Sequence, residues 1–244
     1  MGGHAAGEVA SGLVVDSFES LDAAEPLGLL EFEPLLSAIN ARIREVGTER
    51  GTIGMGTTVV GVALISNGSR ASAVVFNVGD SRCYQLKGGI LRQVTVDHSH
   101  VQELIEAGHI TENEAAVHPM RNVVTRALGV DPTVRADYTV LDDVNCRLLL
   151  CSDGLSGELS EQMIAGVLQQ EADPNVAALR LVESVLLGPA PDNITAVVVD
   201  VTVSADGSVD DTVPNASIVD APEITAPRSV ASTRALVSND ERPE

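Results

Sequence analysis

Tryptophan is absent from these 244 residues, and all aromatics together make up 2% of the chain. Stacking on nucleobases needs exposed rings, so a base-stacking nucleic-acid binder is not expected. Basic residues are scarce as well: 15 Lys and Arg stand against 35 Asp and Glu, for a formal net charge of -20. Such a surface repels a phosphate backbone, and no nucleic-acid partner is expected. Any anionic substrate then needs local help from metal ions or well-placed Arg side chains.

Cysteine is sparse. Cys83, Cys146 and Cys151 form no C-x-x-C pair, and the last two bracket an apolar run. They read as buried thiols of a reducing compartment. Long apolar stretches are missing too, and no basic-then-apolar leader opens the chain. Neither a membrane span nor a signal peptide is expected, and the location read from this is cytoplasmic.

What is present is an apolar share of 44%, enough for one large domain whose core is filled by Val, Leu, Ile and Ala. Ala6, Val9, Ala10, Leu13 and Val14 share one helical face. The preceding Gly2-Gly3 step either offers backbone N–H groups to an anion or is a flexible start. Phe32, Leu35, Leu36, Ile39, Ile43 and Val46 predict a helix over 32–46. The period then changes to two over 57–65 and 71–78, with Asn67-Gly68 between them as a hairpin signal. A second hairpin spans 82–86 and 90–94, and further strands are predicted over 136–141, 146–151 and 193–201. Helices are predicted over 100–107, 160–170 and 174–187, the last opened by Pro174 and followed by Gly188. Residues 108–128 are irregular and read as a mobile flap.

Beyond about 203 the composition shifts to Asp, Ser, Thr, Pro and Ala without periodicity. The expected organisation is a domain over 1–203 and a disordered acidic tail over 204–244. Hairpins flanked by paired helices, without βαβ alternation, indicate α+β layers.

Candidate chemistry lies at element ends. The run Leu148-Leu149-Leu150-Cys151 stops in Ser152-Asp153-Gly154, where a strand fixes a carboxylate and Gly lets the chain turn away. An ordinary turn has the same sequence features. Asp192 stands before the last strand, and Asp97 precedes a short helix near its cap. Asp80, in Val78-Gly79-Asp80-Ser81-Arg82, reads as part of a turn between hairpins. His100, His109 and His118 lack the i, i+4 spacing of a zinc helix, so no zinc site is expected.

Read in order, Gly2-Gly3-His4-Ala5-Ala6-Gly7-Glu8, Gly54-Met55-Gly56-Thr57-Thr58, Val78-Gly79-Asp80-Ser81-Arg82, Asp97-His98-Ser99, Ser152-Asp153-Gly154 and Asp192-Asn193-Ile194-Thr195 resemble the PPM family. These are the metal-dependent Ser/Thr phosphatases also called protein phosphatase type 2C, and the likeness is to the short bacterial branch that opposes Ser/Thr kinases. The resemblance implies a four-layer α-β-β-α sandwich of two antiparallel sheets. It implies Mn²⁺ or Mg²⁺ held by Asp153 and Asp192, with Asp97 and Asp153 holding a looser third ion. Two such ions about 3.5–4 Å apart can share a hydroxide that attacks the phosphorus in line. The flap would match Gly108 to Leu128, and Gly79, Asp80 and Ser81 would be a structural turn supporting the site. The expected partners are phosphoprotein substrates and a Ser/Thr kinase, and the expected state is a monomer.

The family pattern also contains an Asp-Gly step directly before the Met of Met-Gly-Gly-His and, further upstream, Arg-x-x-Asn-(Glu/Gln)-Asp. Neither falls within residues 1–244. The expectation is therefore a chain truncated at its start, lacking first strands and the metal-bridging Asp, with little activity as it stands. The competing reading is a catalytically inactive module that binds phosphoproteins or a kinase. A metal-dependent phosphohydrolase acting on small molecules is a third.

Overall fold

The computed structural model describes residues 4–21, 29–67, 70–141, 144–188, 192–202, 217–221 and 237–239. In chain order its elements begin with α1 (His4–Glu19), α2 (Leu29–Glu49), β1 (Val59–Asn67), β2 (Arg70–Val78), β3 (Arg82–Lys87) and β4 (Ile90–Gln93). They continue with α3 (His100–Glu106), α4 (Glu112–Ala116), β5 (Asp137–Leu141), β6 (Cys146–Cys151), α5 (Asp153–Ser156), α6 (Glu161–Gln170) and α7 (Pro174–Leu186). The last three are β7 (Ile194–Val201), β8 (Ser217–Ala221) and β9 (Val237–Asn239).

The strands form two sheets, β5-β2-β1-β9 and β4-β3-β6-β7-β8. Every pairing is antiparallel except β1 with β9. The predicted first hairpin is present, in register from Val59 opposite Val78 to Asn67 opposite Arg70. Its two connecting residues, 68 and 69, lie outside the described ones, as do Gly2-Gly3 and most of the tail. The tail was read as aperiodic, yet Ser217–Ala221 pairs with β7 and Val237–Asn239 with β1.

Both faces of each sheet are covered, so the strands read as continuous apolar runs rather than alternating ones. Leu148 and Leu150 of β6 point between the sheets, where Leu64, Ala73, Val75, Cys83, Leu141 and Val199 meet them. Leu149 and Cys151, one residue out of phase, face the other way into a core with Leu155, Ile164, Leu168, Leu181 and Val198. On the far side α1 and α2 cover the first sheet through Ala10, Phe32, Leu36, Ile39 and Ile43, packed with Ala63, Phe76 and Val78. Period-two alternation thus sorts each strand between two cores, and the result is the expected α-β-β-α layering.

The chain has only three Phe, and all of them gather on one spot. The Phe76 ring lies 5.8 Å from that of Phe18 and 5.3 Å from that of Phe32. Gly61, directly opposite Phe76 on β1, provides the space: a Cβ there would come within 2.2 Å of the ring. Arg147 fastens the opposite side. It forks onto Asp200 at 2.6 Å and donates to the Leu168, Glu171 and Ala172 carbonyls, tying the sheet to the α6–α7 connection.

Gly61→Ala is expected to lower stability by about 1–3 kcal/mol, because the ring has no free volume to retreat into. Gly7→Ala in α1, where a Cβ meets nothing within 4 Å, should match or slightly exceed the parent chain, since Ala is the better helix former. Thermal unfolding followed by circular dichroism checks both. A Gly61→Ala protein melting with the parent would show that the Phe76 packing does not constrain the sheet.

Candidate metal centre

Strand order brings the acids together. In the second sheet β3, β6 and β7 lie side by side, with Arg82 opposite Cys151 and Cys151 opposite Ala196. Because neighbours run antiparallel, the start of β3, the end of β6 and the start of β7 share one end of the sheet. Asp80, Asp153 and Asp192 sit just beyond those three termini.

The turns at that end are stitched tightly. The Ser152 backbone N–H donates to the Thr195 carbonyl at 3.1 Å, and the Thr195 N–H donates back to Ser152 Oγ at 3.0 Å. Gly154 is required by a close approach. A Cβ at this position would meet the Asn193 carbonyl oxygen at 2.3 Å and Asp192 Cβ at 3.6 Å. The absence of a side chain therefore lets the Asp153 turn and the Asp192 turn touch.

A second set of contacts positions Asp80 and Asp97. Gly79 has φ 118° and its missing Cβ would strike Thr58 Cγ2 at 2.3 Å. Its N–H donates to His98 Nδ1 at 2.9 Å, and its carbonyl accepts the His98 N–H at 2.9 Å. On the far side of the ring, Nε2 lies 3.1 Å from Asp137 Oδ2 and 2.9 Å from Arg126 Nη1, and a ring proton there is donated to the carboxylate. Arg126 holds the other oxygen of Asp137 at 2.7 Å. Asn77, buried, donates to the Gly79 and Val96 carbonyls at 3.0 and 3.2 Å. Thr58 and Ser81 share a hydroxyl contact of 2.9 Å, which joins the Gly54–Thr58 segment to the same turn. The flap exit is tied in as well, since Thr125 N–H donates to the His98 carbonyl at 2.8 Å.

Asp97 is gripped by Arg82. Nε lies 3.0 Å from both carboxylate oxygens, Nη2 lies 2.7 Å from Oδ2, and Gln93 adds a donor to Oδ1 at 3.2 Å. Burial draws the Arg82 pKa down, but the hydrogen bonds and charge of Asp97 outweigh it, so the guanidinium stays charged.

The acids feel one another. The Asp80 carboxyl is raised from 3.8 to about 6, first by burial, then by the charge of Asp153 and, less, of Asp97. Asp153 is also raised, by burial and then by Asp192, with Asp97 contributing last. Its side chain is reachable by water but recessed among protein atoms. The leading influences that favour its charged form are backbone N–H groups of residues 153 and 154.

All candidate donors here are carboxylates, the ligands that hard divalent cations such as Mn²⁺ and Mg²⁺ take. Crowded acids with raised pKa values are the electrostatic counterpart of such an ion. The carboxylates at the Asp153–Asp192 end are thus the type of donor that a divalent cation takes. Among the described residues no group of three His, Cys, Asp or Glu meets at metal-binding geometry. Asp97 lies within electrostatic reach of Asp153 but is engaged by Arg82.

Asp80 and Arg82, in a Gly79-Asp80-Ser81-Arg82 motif whose sequence marks only a turn, stand beside Asp153 and Asp97. Nothing along the chain shows that β3 pairs with β6, and that pairing sets this turn beside Asp153. In the flap, the Thr111 capping box that starts α4 was also missed; Thr111 and Glu114 cap each other through contacts of 2.8 and 3.4 Å.

No family model matches the sequence. The Ser/Thr protein phosphatase PstP of Mycobacterium tuberculosis is 40% identical over 246 residues, which take in 98% of this chain and 46% of the relative. The chain thus spans just under half the length of these mycobacterial relatives. The Ser/Thr phosphatase stp of Listeria monocytogenes is 36% identical over 210 residues, covering 82% of this chain and 81% of that protein. Among solved structures, M. tuberculosis PstP/Ppp superposes with a TM-score of 0.72 at 41% identity, covering 81% of this chain and 83% of that one. The PstP catalytic domain in complex with two manganese ions superposes with a TM-score of 0.70 at 38% identity over the same shares. Together with the four-layer sandwich and its acid-lined end, this likeness over most of the Listeria enzyme establishes kinship: the chain belongs to the PPM, or type 2C, family of Ser/Thr phosphatases, in its bacterial branch.

Proposed function

We propose that residues 1–203 form a metal-dependent protein phosphatase domain hydrolysing phosphoserine and phosphothreonine esters. The observation that carries this reading is the convergence of Asp153 and Asp192 across the Gly154 contact, beside Asp97 and Asp80, in a member of a family with a two-manganese structure. Asp153 and Asp192 would hold one Mn²⁺ or Mg²⁺, and Asp97 with Asp153 a looser one. When bound, such ions supply Lewis acidity toward phosphoryl oxygens and lower the pKa of water.

The chain's own residues do the rest. Ser152 and Gly154 fix the separation of the two acid-bearing turns. His98 and Asn77 brace the Gly79 turn from behind. Asp80, its carboxyl raised to about 6 by burial and then by the charge of Asp153, adds to the demand for positive charge at this end. The overall charge of -20 would repel a phosphorylated substrate, so substrate binding depends on cations being in place first. Phosphoproteins are the substrates this reading implies, and a bacterial Ser/Thr kinase is the enzyme it opposes. Cys83 and Cys151 are buried free thiols, which supports a cytoplasmic setting. Among the described residues no helix is long and apolar enough to cross a membrane.

Turnover of a phosphopeptide tests the reading. Asp153→Asn should lower Mn²⁺-dependent turnover of a phosphothreonine peptide by about 100-fold or more while leaving the far-UV spectrum unchanged; retained turnover would remove Asp153 from the site. Phosphopeptide binding without turnover in the parent chain would instead favour the inactive binding module.

The acid crowding also predicts a pH dependence in metal-free protein. Asp80 is raised to about 6 when folded, against 3.8. Between those values the folded state holds more protons than the unfolded one, so stability falls as pH rises through the window. Its contribution is complete below about pH 4 and lost above about pH 6, and is on the order of 1–2 kcal/mol after allowing for solvent screening. In EDTA, Asp80→Asn should therefore melt higher than the parent at pH 7.5, with the gap closing at pH 4. A variant no more stable at pH 7.5 would rule out the electrostatic strain.

A further inference from the structure

The acids at this end of the sheet are not equally free to take an ion. Four donor contacts at 2.7–3.2 Å already fall on Asp97, three from Arg82 and one from Gln93. A carboxylate has about four lone-pair directions, so little of its accepting capacity is left. The pair is also shielded: the Asp97 side chain is 12% exposed and that of Arg82 29%. Arg82 is anchored from behind, its Nη1 donating at 3.0 Å to the hydroxyl of Tyr84, which is 1% exposed. At the other end, Asp153 faces Asp192, a repelling charge, and its leading favourable partners are backbone N–H groups.

We propose that Arg82 is a built-in competitor for the cation site at Asp97. The guanidinium holds the carboxylate in the metal-free protein, and an ion entering there must displace it. The inference rests on the reading above that Asp97 shares an outer ion with Asp153. A hard divalent cation needs the lone pairs that Arg82 and Gln93 occupy, and it adds two positive charges beside a side chain that cannot deprotonate. The attraction of Asp97 for the ion is therefore offset by a broken fork of charge-assisted hydrogen bonds. Among the described residues no such ion pair is made by Asp153 or Asp192. One row of acids then yields two classes of affinity: a tight class at Asp153–Asp192, and a weak, exchangeable one at Asp97 whose strength Arg82 sets.

The opposite role is physically reasonable and gives the opposite result. If Arg82 merely orients Asp97 for the ion, removing it weakens binding. The experiment is Mn²⁺ titration of the full chain, read by the electron paramagnetic resonance of free Mn²⁺ and by calorimetry, for the parent, Arg82→Gln, Arg82→Lys, Asp97→Asn and the Arg82→Gln/Asp97→Asn double variant. Arg82→Gln should tighten the weakest class by about tenfold, the scale of one lost charge-assisted pair. Arg82→Lys should fall between, because a point charge lacks the fork. Asp97→Asn should abolish that class with either residue at 82. An unchanged or weaker affinity in Arg82→Gln, with the tight class intact, overturns the competitor role and leaves the phosphatase reading standing. Absence of Mn²⁺ binding in every form overturns both. Should Arg82→Gln fail to fold by circular dichroism, Arg82→Lys decides alone: tightening supports competition, and unchanged or weaker binding ends it.

Discussion

Like charges repel, and holding Asp80, Asp97, Asp153 and Asp192 at one end of a sheet requires a scaffold that cannot relax them apart. The stiffness comes from β3, β6 and β7, central strands buried on both faces. Leu148 and Leu150 pack into one core and Leu149 and Cys151 into another, so β6 cannot shift by one residue without emptying both. The Ser152–Thr195 exchange and the Gly154–Asn193 contact carry that rigidity past the strand ends to the carboxylates. The raised pKa values of Asp80 and Asp153, owed first to burial and then to neighbouring carboxylates, go with this constraint. A loosely held cluster would spread out and lose them.

The first sheet contributes from the side. His98 binds the Gly79 turn through both its backbone and its ring, reaches Asp137 on β5, and accepts the Thr125 N–H from the end of the flap. Asn40 of α2 holds the next stretch, accepting from Gly129 N–H and donating to the Asp131 carbonyl at 2.7 and 3.0 Å. The flap's exit is thus anchored to both layers, while Val117, Met120 and Val123 within it stay exposed. Residues 108–128 thus combine an anchored exit with an exposed middle.

How much of this was legible in the sequence follows from the range of each interaction. Helical spacing from Phe32 to Val46 and period-two runs such as 71–78 mark elements because they report local geometry, and α2 and β2 fall where those patterns put them. Asp153 stood out because strand, acid and Gly are contiguous. Asp80 and Arg82 did not, since their importance comes from the pairing of β3 with β6, a contact between residues some seventy positions apart. The salt bridge from Arg82 to Asp97 is invisible for the same reason. The strands at 217–221 and 237–239 were missed because short segments in a polar, Pro-containing stretch carry too little periodicity to register.

The overall acidity, read at first only as a surface property, acquires a local meaning at the site. A phosphate ester approaching a row of carboxylates meets repulsion unless positive charge has been recruited beforehand. Arg82 is the one basic side chain among the leading influences on Asp80, and its guanidinium is committed to Asp97. On the reading proposed above, positive charge at this recess comes from ions, and electrostatics places their arrival before any chemistry. Replacing these acids by Arg or Lys would attract phosphate directly but would also hold the product phosphate. On that reading substrate affinity follows cation supply, and the Arg82–Asp97 pair is the place where the chain itself would adjust that dependence.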